Sequence, residues 1–383
     1  MAYREVTRDS WFSRIGNSFL GALIGLLLVV VAFPLLFWNE GRAVQTAKSL
    51  EEGASSVVTV PADRVDPAFE GKLVHLSAET RTDQTLSDPE FGVTTNAIKL
   101  IRDVEMYQWE EKKNSETKKK LGGGTETVNT YDYRQTWSSR QINSDSFKEG
   151  GHQNPAQLPF ESKTLIAHTV HFGAFQLSPE QVHQLDGAEP LRVEKISNAG
   201  PGRVEGGALY VGRDSAAPAI GDVRVSFSVV KPGPVTVVAR QQGGSFVPYA
   251  TLAGDEIHLV ESGTLSSAQM FTAAQDRNTV LTWVLRFCGW LAMFLGLGMA
   301  MKPLSVLGDV VPFIGSLIGA GTTFFSFLIA SSLSTVTVAL AWVVYRPLLG
   351  IALLLAAGGM VFWLVTRSRK QQPAARPPMA RAA

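Results

Sequence analysis

The chain has 383 residues, 45% of them apolar, and a formal net charge of +1. This length accommodates a globular domain as well as several membrane helices, and the balanced charge provides no basic field for nucleic acid. Cys288 is the only cysteine, so an intramolecular disulfide and a cysteine-based zinc site are excluded.

The first predicted element is a membrane helix at residues 15–38, which follows a short N-terminal segment at residues 1–14. Its residues carry no charge, and about 20 apolar residues cross the hydrocarbon core as a helix. The run exceeds the apolar core of a signal peptide and lacks a small-residue cleavage site, so we expect an uncleaved anchor. Gly21 and Gly25 form a G-x-x-x-G pair, which predicts close helix packing and self-association.

The second predicted element is a β-rich α+β domain at residues 39–278. β-Branched and aromatic residues form short runs, and Gly, Pro, Asp and Asn separate them. The runs at 98–108 and 131–142 are predicted to pair as two strands. The polar, lysine-rich and glycine-containing stretch between them, residues 112–128, is predicted to be a mobile loop.

The C-terminal part predicts three further membrane helices at residues 279–301, 319–345 and 346–366. An interfacial segment at 302–318, broken by Pro312, separates the first two, and a disordered basic tail at 367–383 ends the chain. Arginines and lysines at both ends predict that both termini are cytoplasmic. The predicted fold is therefore an integral membrane protein with four helical spans and a large extramembrane β-rich α+β domain between spans one and two.

No catalytic or metal-binding motif stands out. His168 and His171 lie three apart in a strand-like run, where their side chains point to opposite faces, which argues against a zinc site. Two carboxylate pairs have the residue types for acid–base work, but their spacing does not separate them from solvated carboxylates: Glu105 with Glu110, and Asp88 with Glu90. We therefore expect no catalytic residue, no cofactor and no metal ion.

Several short motifs run in order through most of the chain: Asn39-Glu40-Gly41-Arg42, Val104-Glu105-Met106-Tyr107-Gln108-Trp109, Gly221-Asp222 and Tyr345-Arg346-Pro347. In these motifs the chain resembles the LUMA family, also called the transmembrane protein 43 family. The resemblance implies a four-span protein with a large lumenal domain, located in animals in the endoplasmic reticulum and the inner nuclear membrane. It also implies self-association and the organisation of nuclear-envelope proteins, and it brings no catalytic residues with it.

The middle domain contains no Asn-x-Ser/Thr acceptor for glycosylation, which is compatible with a bacterial member of that family whose domain is periplasmic. The expected function is a non-enzymatic scaffold that binds the lipid bilayer, further copies of itself and other membrane or envelope proteins, but not nucleic acid. Two alternatives remain open. A transporter or channel component would need ionisable groups at mid-membrane, whereas Arg286 and Asp309 lie at span edges. A lipid-acting enzyme would need a clustered set of His, Asp or Ser.

Overall fold

The computed structural model of the chain describes residues 3–193, 201–348, 350–352 and 355. The described residues form four α-helices: α1 (Trp11–Ser56), α2 (Pro179–Gln184), α3 (Ser267–Gly308) and α4 (Pro312–Tyr345). A short 3₁₀ helix covers Pro67–Phe69. The strands are β1 (Tyr3–Asp9), β2 (Val58–Thr59), β3 (Leu73–Arg81), β4 (Thr85–Asp88), β5 (Val93–Asn96), β6 (Lys99–Lys119), β7 (Thr125–Ser138), β8 (Lys163–Ile166), β9 (Val170–Phe172), β10 (Phe175–Leu177), β11 (Glu189–Leu191), β12 (Arg203–Glu205), β13 (Ala208–Val211), β14 (Val223–Val230), β15 (Pro234–Gln242), β16 (Ser245–Val247), β17 (Tyr249–Ala250), β18 (Glu256–Ile257) and β19 (Leu259–Ser262).

Three helices, α1, α3 and α4, are long and apolar enough to cross a membrane. The apolar runs at 15–38, 279–301 and 319–345 fall within them. Side-chain caps define their starts where the sequence offers serine: the Ser10 hydroxyl accepts from the backbone of Ser13 at the start of α1. The predicted fourth span at 346–366 lies largely outside the described residues, and the predicted tail at 367–383 lies wholly outside them.

The chain divides into two compact units. The β-rich unit comprises Met1–Gly16, Gln45–Asn278 and Val306–Ser316, and the helical unit comprises Asn17–Val44, Thr279–Ser305 and Leu317–Ala383. Each of the three long helices therefore contributes residues to both units. The β-rich unit contains not only the predicted domain between the first two spans but also the N-terminal segment and the turn between α3 and α4.

Among the described residues, two large sheets and two small two-stranded sheets, β4-β5 and β17-β18, form the β-rich unit. The larger sheet has the order β1-β7-β6-β14-β13-β12, with β11 beside β14 and β8 beside β6; the second has the order β10-β9-β3-β15-β16, with β19 beside β15 and β2 beside β3. Alternate residues of β14 are buried, because successive side chains of a strand point to opposite faces. Strands of both sheets supply one core, which includes Leu100, Val225, Phe172 and Val237.

The strands β6 and β7 form one long antiparallel hairpin, with Met106 opposite Ser138 and Lys119 opposite Thr125. The predicted pairing of the two runs is present, but the mobile loop at 112–128 is wrong. Most of that stretch is strand, and the turn lies at 120–124, where Gly122 and Gly123 adopt positive φ angles. The reason is that polar residues occupy both faces of the hairpin tip, so no hydrophobic alternation marks it as a strand.

The N-terminal segment adds a further strand to this hairpin, which the sequence analysis did not foresee. β1 pairs antiparallel with β7, from Tyr3 opposite Tyr131 to Asp9 opposite Thr125. Beyond it, the buried carboxylate of Asp309 accepts hydrogen bonds from Arg14 at 2.5 Å and from Lys119 at 2.6 Å. The N-terminus, the hairpin tip and the turn after α3 are thereby joined within the β-rich unit.

Candidate functional site

The candidate site is a polar cluster in the helical unit, built around the motif at residues 39–42. Asn39 and Glu40 lie in α1 and are almost completely buried. A buried polar group without a hydrogen-bonding partner costs free energy, so both side chains need partners. Thr282 and Arg286 of α3 provide them, because residues four apart lie on the same face of a helix.

Glu40 is the centre of the cluster. Its Oε1 accepts a hydrogen bond from Nε of Arg286 at 2.6 Å, and its Oε2 accepts one from Nη2 of Arg286 at 2.8 Å. Oε2 also accepts from the indole Nε1 of Trp342 in α4, at 2.7 Å. Glu40 therefore connects all three long helices through charge-assisted hydrogen bonds, which are shorter and stronger than neutral ones.

Asn39 and Arg42 extend the cluster by one helical turn. The Asn39 amide donates to the backbone carbonyl of Thr282 at 3.1 Å. Arg42 donates to the Asn39 side-chain oxygen at 3.3 Å and to the Thr282 hydroxyl at 2.9 Å. Three of the four residues in the motif thus make polar contacts that hold α1 against α3.

Aromatic rings surround the Arg286 guanidinium. It lies 4.8 Å from the centroid of the Trp283 ring and 5.7 Å from that of Trp342. A cation placed over an indole face is attracted by the ring quadrupole, and more strongly where water is excluded. The rings and the Glu40 carboxylate together compensate for the loss of water around this charge.

The remaining motif residues of this unit lie at the end of α4. Gly41 faces the ring of Tyr345, and a Cβ at Gly41 would lie 2.7 Å from that ring, so a larger side chain would displace it. Arg346 and Pro347 follow directly after the last residue of α4, and the Arg346 amide still donates to the carbonyl of Trp342 at 2.7 Å. The structure therefore brings the motifs at 39–42 and 345–347 together.

A cavity of about 480 Å³ adjoins the Glu40–Arg286 pair. Residues of all three long helices line it: Leu36, Trp283, Arg286, Phe287, Trp290, Ser334, Thr335, Val338, Ala339 and Trp342. Most of the wall is apolar, and the Thr335 hydroxyl donates to the carbonyl of Ser331 in its own helix. Three donors already occupy the Glu40 carboxylate, so the arrangement suits helix packing rather than general-base chemistry.

The other motif residues lie in the large sheet of the β-rich unit. The backbone amide of Tyr107 donates to the carbonyl of Asp222 at 2.8 Å, and the amide of Gly221 donates to the carbonyl of Tyr107 at 2.9 Å. Gly221 has a φ of 95°, a conformation that side chains disfavour. The Glu105 carboxylate accepts from Arg224 at 2.6 Å. Two separate motifs are thus joined at the β6–β14 boundary.

The Asp222 side chain secures this junction. Its carboxylate accepts from the Tyr210 hydroxyl at 2.6 Å and from the Ala219 amide at 2.8 Å. Burial, followed by the hydrogen bond to Asp222, raises the pKa of Tyr210 above its usual value, so the phenol stays protonated and keeps donating. The hydrogen bond between Tyr210 and Asp222 therefore stabilises the fold.

Trp109 is held by one side chain at both of its backbone polar groups. The Asn154 Oδ1 accepts from the Trp109 amide at 2.7 Å, and the Asn154 Nδ2 donates to the Trp109 carbonyl at 2.9 Å. An asparagine used in this way replaces a neighbouring strand, because it supplies one acceptor and one donor at strand spacing. This contact joins Trp109, in the motif at residues 104–109, to a residue 45 positions further along the chain.

Comparison with known proteins identifies the family. A family model described as Transmembrane protein 43 matches residues 106–347, which is more than half of the chain. The chain belongs to the transmembrane protein 43 family. Transmembrane protein 43 of Homo sapiens is 38% identical over 376 residues, which cover 95% of this chain and 93% of the relative. The protein of Rattus norvegicus is 37% identical over 381 residues, covering 95% and 94%.

A more distant relative, the Transmembrane protein 43 homolog of Drosophila melanogaster, is 32% identical over 352 residues, covering 89% of this chain and 93% of the relative. No solved structure matches the chain. The resemblance seen in the sequence is therefore confirmed, and the membrane character of this family member agrees with its three long apolar helices. The family and its relatives are described as transmembrane proteins, and the matches indicate no catalytic family.

The two glycines predicted to mediate self-association have different surroundings in this family member. Gly25 packs against Gly296 of α3 within the same chain, and a Cβ on Gly25 would collide with the Gly296 carbonyl. A Cβ on Gly21 would have no neighbour within 4 Å. The role of this pair in self-association remains a prediction, and the contact made by Gly25 is intramolecular.

The most important pairings of the cluster could not be predicted from the sequence. Glu40 follows the first apolar run and Arg286 lies near the start of the second, so opposite charges close to the ends of two predicted spans were the available signal. The carboxylates of Asp88 and Glu90 are not an acid–base pair, because both accept hydrogen bonds from Arg102 at 2.7–2.8 Å. Glu105 and Glu110 are not brought together either, since Arg224 and Arg134 bind them separately.

Proposed function

We propose that this member of the family is a non-enzymatic integral membrane scaffold that self-associates and organises other membrane or envelope proteins through its β-rich unit. In this proposal four helices span the bilayer, both termini are cytoplasmic and the β-rich domain lies on the far side. The membrane is the inner membrane of a bacterium or, in a eukaryote, the endoplasmic reticulum and inner nuclear membrane. The family assignment and the three long apolar helices support the membrane setting.

The proposal rests on the pairing of the N-terminal strand β1 with the long β6–β7 hairpin. β6 has 21 residues, and at about 3.3 Å per residue it is roughly 70 Å long. A bilayer with its headgroups is only about 40–45 Å thick. β1 precedes the first apolar run and β7 follows it, yet Val6 lies directly opposite Val128.

This pairing has a consequence for assembly. If the first apolar run crosses the bilayer, the hairpin tip must reach the side on which the N-terminus lies. The tip carries charged residues such as Lys113, Glu116 and Lys118, and charges and open sheet edges do not face hydrocarbon. In this topology protein rather than lipid contacts the hairpin, and in our proposal further copies of the chain supply part of that protein.

The helices offer the surface for such contacts. Only 17% of the most apolar window of α1, 22% of that of α3 and 17% of that of α4 is buried within the chain. The remaining apolar surface is available to lipid and to neighbouring copies. Association of membrane helices depends on close packing and on hydrogen bonds rather than on the hydrophobic effect.

The polar cluster supports an anchoring role over the two alternatives. A transport path needs ionisable groups that a substrate or an ion can reach. Glu40 and Arg286 instead bind each other, with side chains 2% and 20% exposed. The same saturation of the Glu40 carboxylate argues against acid–base catalysis at this position.

A pair of introduced cysteines tests the pairing of β1 with β7. In a Cys288→Ser background, Val6→Cys and Val128→Cys place two thiols directly opposite each other on neighbouring strands. Oxidation in native membranes is expected to produce an intrachain disulfide, visible as a reductant-sensitive mobility shift. Val6→Cys with Asp132→Cys is the matched control, because Asp132 lies beyond the end of the β1–β7 ladder. Absence of a disulfide in the first pair would contradict the ladder.

In-cell crosslinking followed by purification in mild detergent tests the function itself. The expected product is a defined homo-oligomer that carries other envelope proteins, which mass spectrometry identifies. A lone monomer that carries a stoichiometric small molecule would contradict the scaffold and favour a transporter or an enzyme.

A further inference from the structure

A second cavity lies within the helical unit, separate from the one beside Glu40. Its volume is also about 480 Å³, and all three long helices line it. Unlike the first cavity, it combines a cation, an amide and several hydroxyls with an apolar wall. The residues that give the cavity this mixed character include Asn17, Gly21, Gly298, Lys302, Thr322 and Thr323.

Lys302 provides the positive charge in the wall of this cavity. Glu40, Arg42 and Arg286 in the same unit all have hydrogen-bonding partners. The Lys302 ammonium, by contrast, has no ion pair or hydrogen bond among the residues that the structure describes. Lys302 is exposed beside the cavity that it lines, so its ammonium is accessible to a ligand, and Coulomb attraction favours a negatively charged one.

Glycines make the room for that ligand. A Cβ added at Gly21 or at Gly298 would meet no atom within 4 Å, so the space in front of both residues belongs to the cavity. Phe294 and Leu295 form the apolar part of the wall. A ligand that fits this space has one charged end and one hydrocarbon end.

The hydroxyls indicate the chemistry of the charged end. Thr322 and Thr323 both donate their hydroxyl hydrogens to the carbonyl of Gly319, at 3.0 and 2.9 Å. Their oxygens keep lone pairs that can accept hydrogen bonds from a ligand, while Lys302 and the Asn17 amide in the cavity wall can donate them. A phosphate satisfies the donors, and hydroxyls on the headgroup satisfy the acceptors.

The position of Lys302 favours a membrane lipid as the source of this phosphate. Lys302 follows directly after the apolar run at 279–301, at the depth where a spanning helix meets the headgroups. Basic pockets between membrane helices bind anionic headgroups in this way. The apolar wall then contacts the acyl chains, which free phosphate lacks.

We propose that this cavity binds an anionic phospholipid with a hydroxyl-bearing headgroup, with the lipid phosphate on Lys302 and Asn17. This site is independent of the scaffold function. We therefore expect the purified protein to retain such a lipid in preference to a zwitterionic one.

The test uses the full chain, purified in detergent and incubated with mixed micelles that contain equal amounts of dioleoylphosphatidylglycerol and dioleoylphosphatidylcholine. Lipid that remains after gel filtration is quantified by mass spectrometry. We expect about one phosphatidylglycerol per chain and at least a tenfold preference over phosphatidylcholine. Equal retention of the two lipids would overturn the proposal.

Two variants test the residues, and one variant serves as a control. Lys302→Gln is expected to reduce phosphatidylglycerol retention about tenfold, and Asn17→Ala provides a milder second test if Lys302→Gln melts at a lower temperature. Lys112→Gln removes an exposed lysine in β6 and should change nothing. Unchanged retention in both cavity variants would contradict the site. Competition by 10 mM inorganic phosphate would identify a simple phosphate site and overturn the lipid assignment.

Discussion

Glu40 and Arg286, separated by 246 positions in the chain, form a two-pronged ion pair with hydrogen bonds of 2.6 and 2.8 Å. Trp342 adds a third hydrogen bond to the same carboxylate. The pair removes two charges from an otherwise apolar set of helices and fixes α1, α3 and α4 against one another. Through this pair, the motif at residues 39–42 stabilises the packing of the three helices.

We expect that breaking this pair on one side destabilises the protein strongly. Arg286→Met leaves the buried Glu40 carboxylate without its cation, which typically costs about 3–5 kcal/mol. The combined change of Glu40→Leu with Arg286→Met removes both charges and should recover most of the lost stability. Thermal melting of the purified protein, followed by tryptophan fluorescence, measures both effects.

The exposed pair formed by Arg134 and Glu110 is the matched control for this cycle. Its side chains are 65% and 37% exposed, and exposed ion pairs contribute about 0–1 kcal/mol. Arg134→Met should therefore leave the melting temperature nearly unchanged. A similar loss at both arginines, or a double variant no better than Arg286→Met, would contradict the structural role of the buried pair.

Arg102 predicts a corresponding effect in the β-rich unit. Its guanidinium donates to Asp88 at 2.8 Å, to Glu90 at 2.7 Å and to the Glu161 carbonyl at 2.9 Å, and it is almost fully buried. Arg102→Lys keeps the charge but loses the forked geometry. We expect a lower melting temperature for Arg102→Lys and faster proteolysis in the β-rich unit; wild-type resistance would contradict the prediction.

His258 predicts that stability depends on pH. Burial lowers the pKa of His258 below its usual value of 6.5, although the carboxylates of Glu180 and Glu256 oppose the shift. The folded state therefore disfavours the protonated ring, so this contribution is complete above pH 6.5 and is lost as the pH falls towards the folded pKa. The melting temperature should fall between pH 7 and pH 5.

The variant His258→Gln should reduce that pH dependence, because the group that takes up the proton on unfolding is gone. His168→Gln, which changes an exposed histidine, is the control and should retain the wild-type dependence. Melting curves of the three proteins across the same pH range make the comparison. Identical curves for His258→Gln and the wild type would show that His258 is not the responsible group.

Gly25 and Gly21 predict opposite outcomes for the same type of change. Gly25→Ala places a methyl group against the Gly296 carbonyl and should lower the melting temperature of the protein, because the helix backbones must separate. Gly21→Ala meets no atom within 4 Å and should be tolerated within the chain. If Gly21→Ala nevertheless dissociates an oligomer without affecting the melting temperature, Gly21 lies at a contact between copies.

The apolar runs and the β-rich character of the middle region could be predicted from the sequence, because hydrophobic length and residue type are local properties. The hairpin tip could not, since residues 112–128 are polar on both faces and differ from a loop only in their cross-strand partners. The contact between β1 and β7 depends on residues about 120 positions apart. No local pattern encodes such a register.

The candidate site, too, could be predicted from the sequence only in part. The motif at residues 39–42 was identified from the sequence, yet its partners were not. Arg286 was noted only as a charge near the end of a span, and Trp342 was not singled out at all. Their relation to Glu40 depends on how three helices pack, which the periodicity of each helix alone does not determine.

Self-association is tested by the mass of the purified protein in a lipid nanodisc. Light scattering measures this mass, with the contribution of the lipid subtracted. The chain has a mass of 41.4 kDa, and self-association predicts an integral multiple of this value that persists on dilution. A single mass of 41.4 kDa at all concentrations, with the Val6–Val128 disulfide intact, would contradict the scaffold.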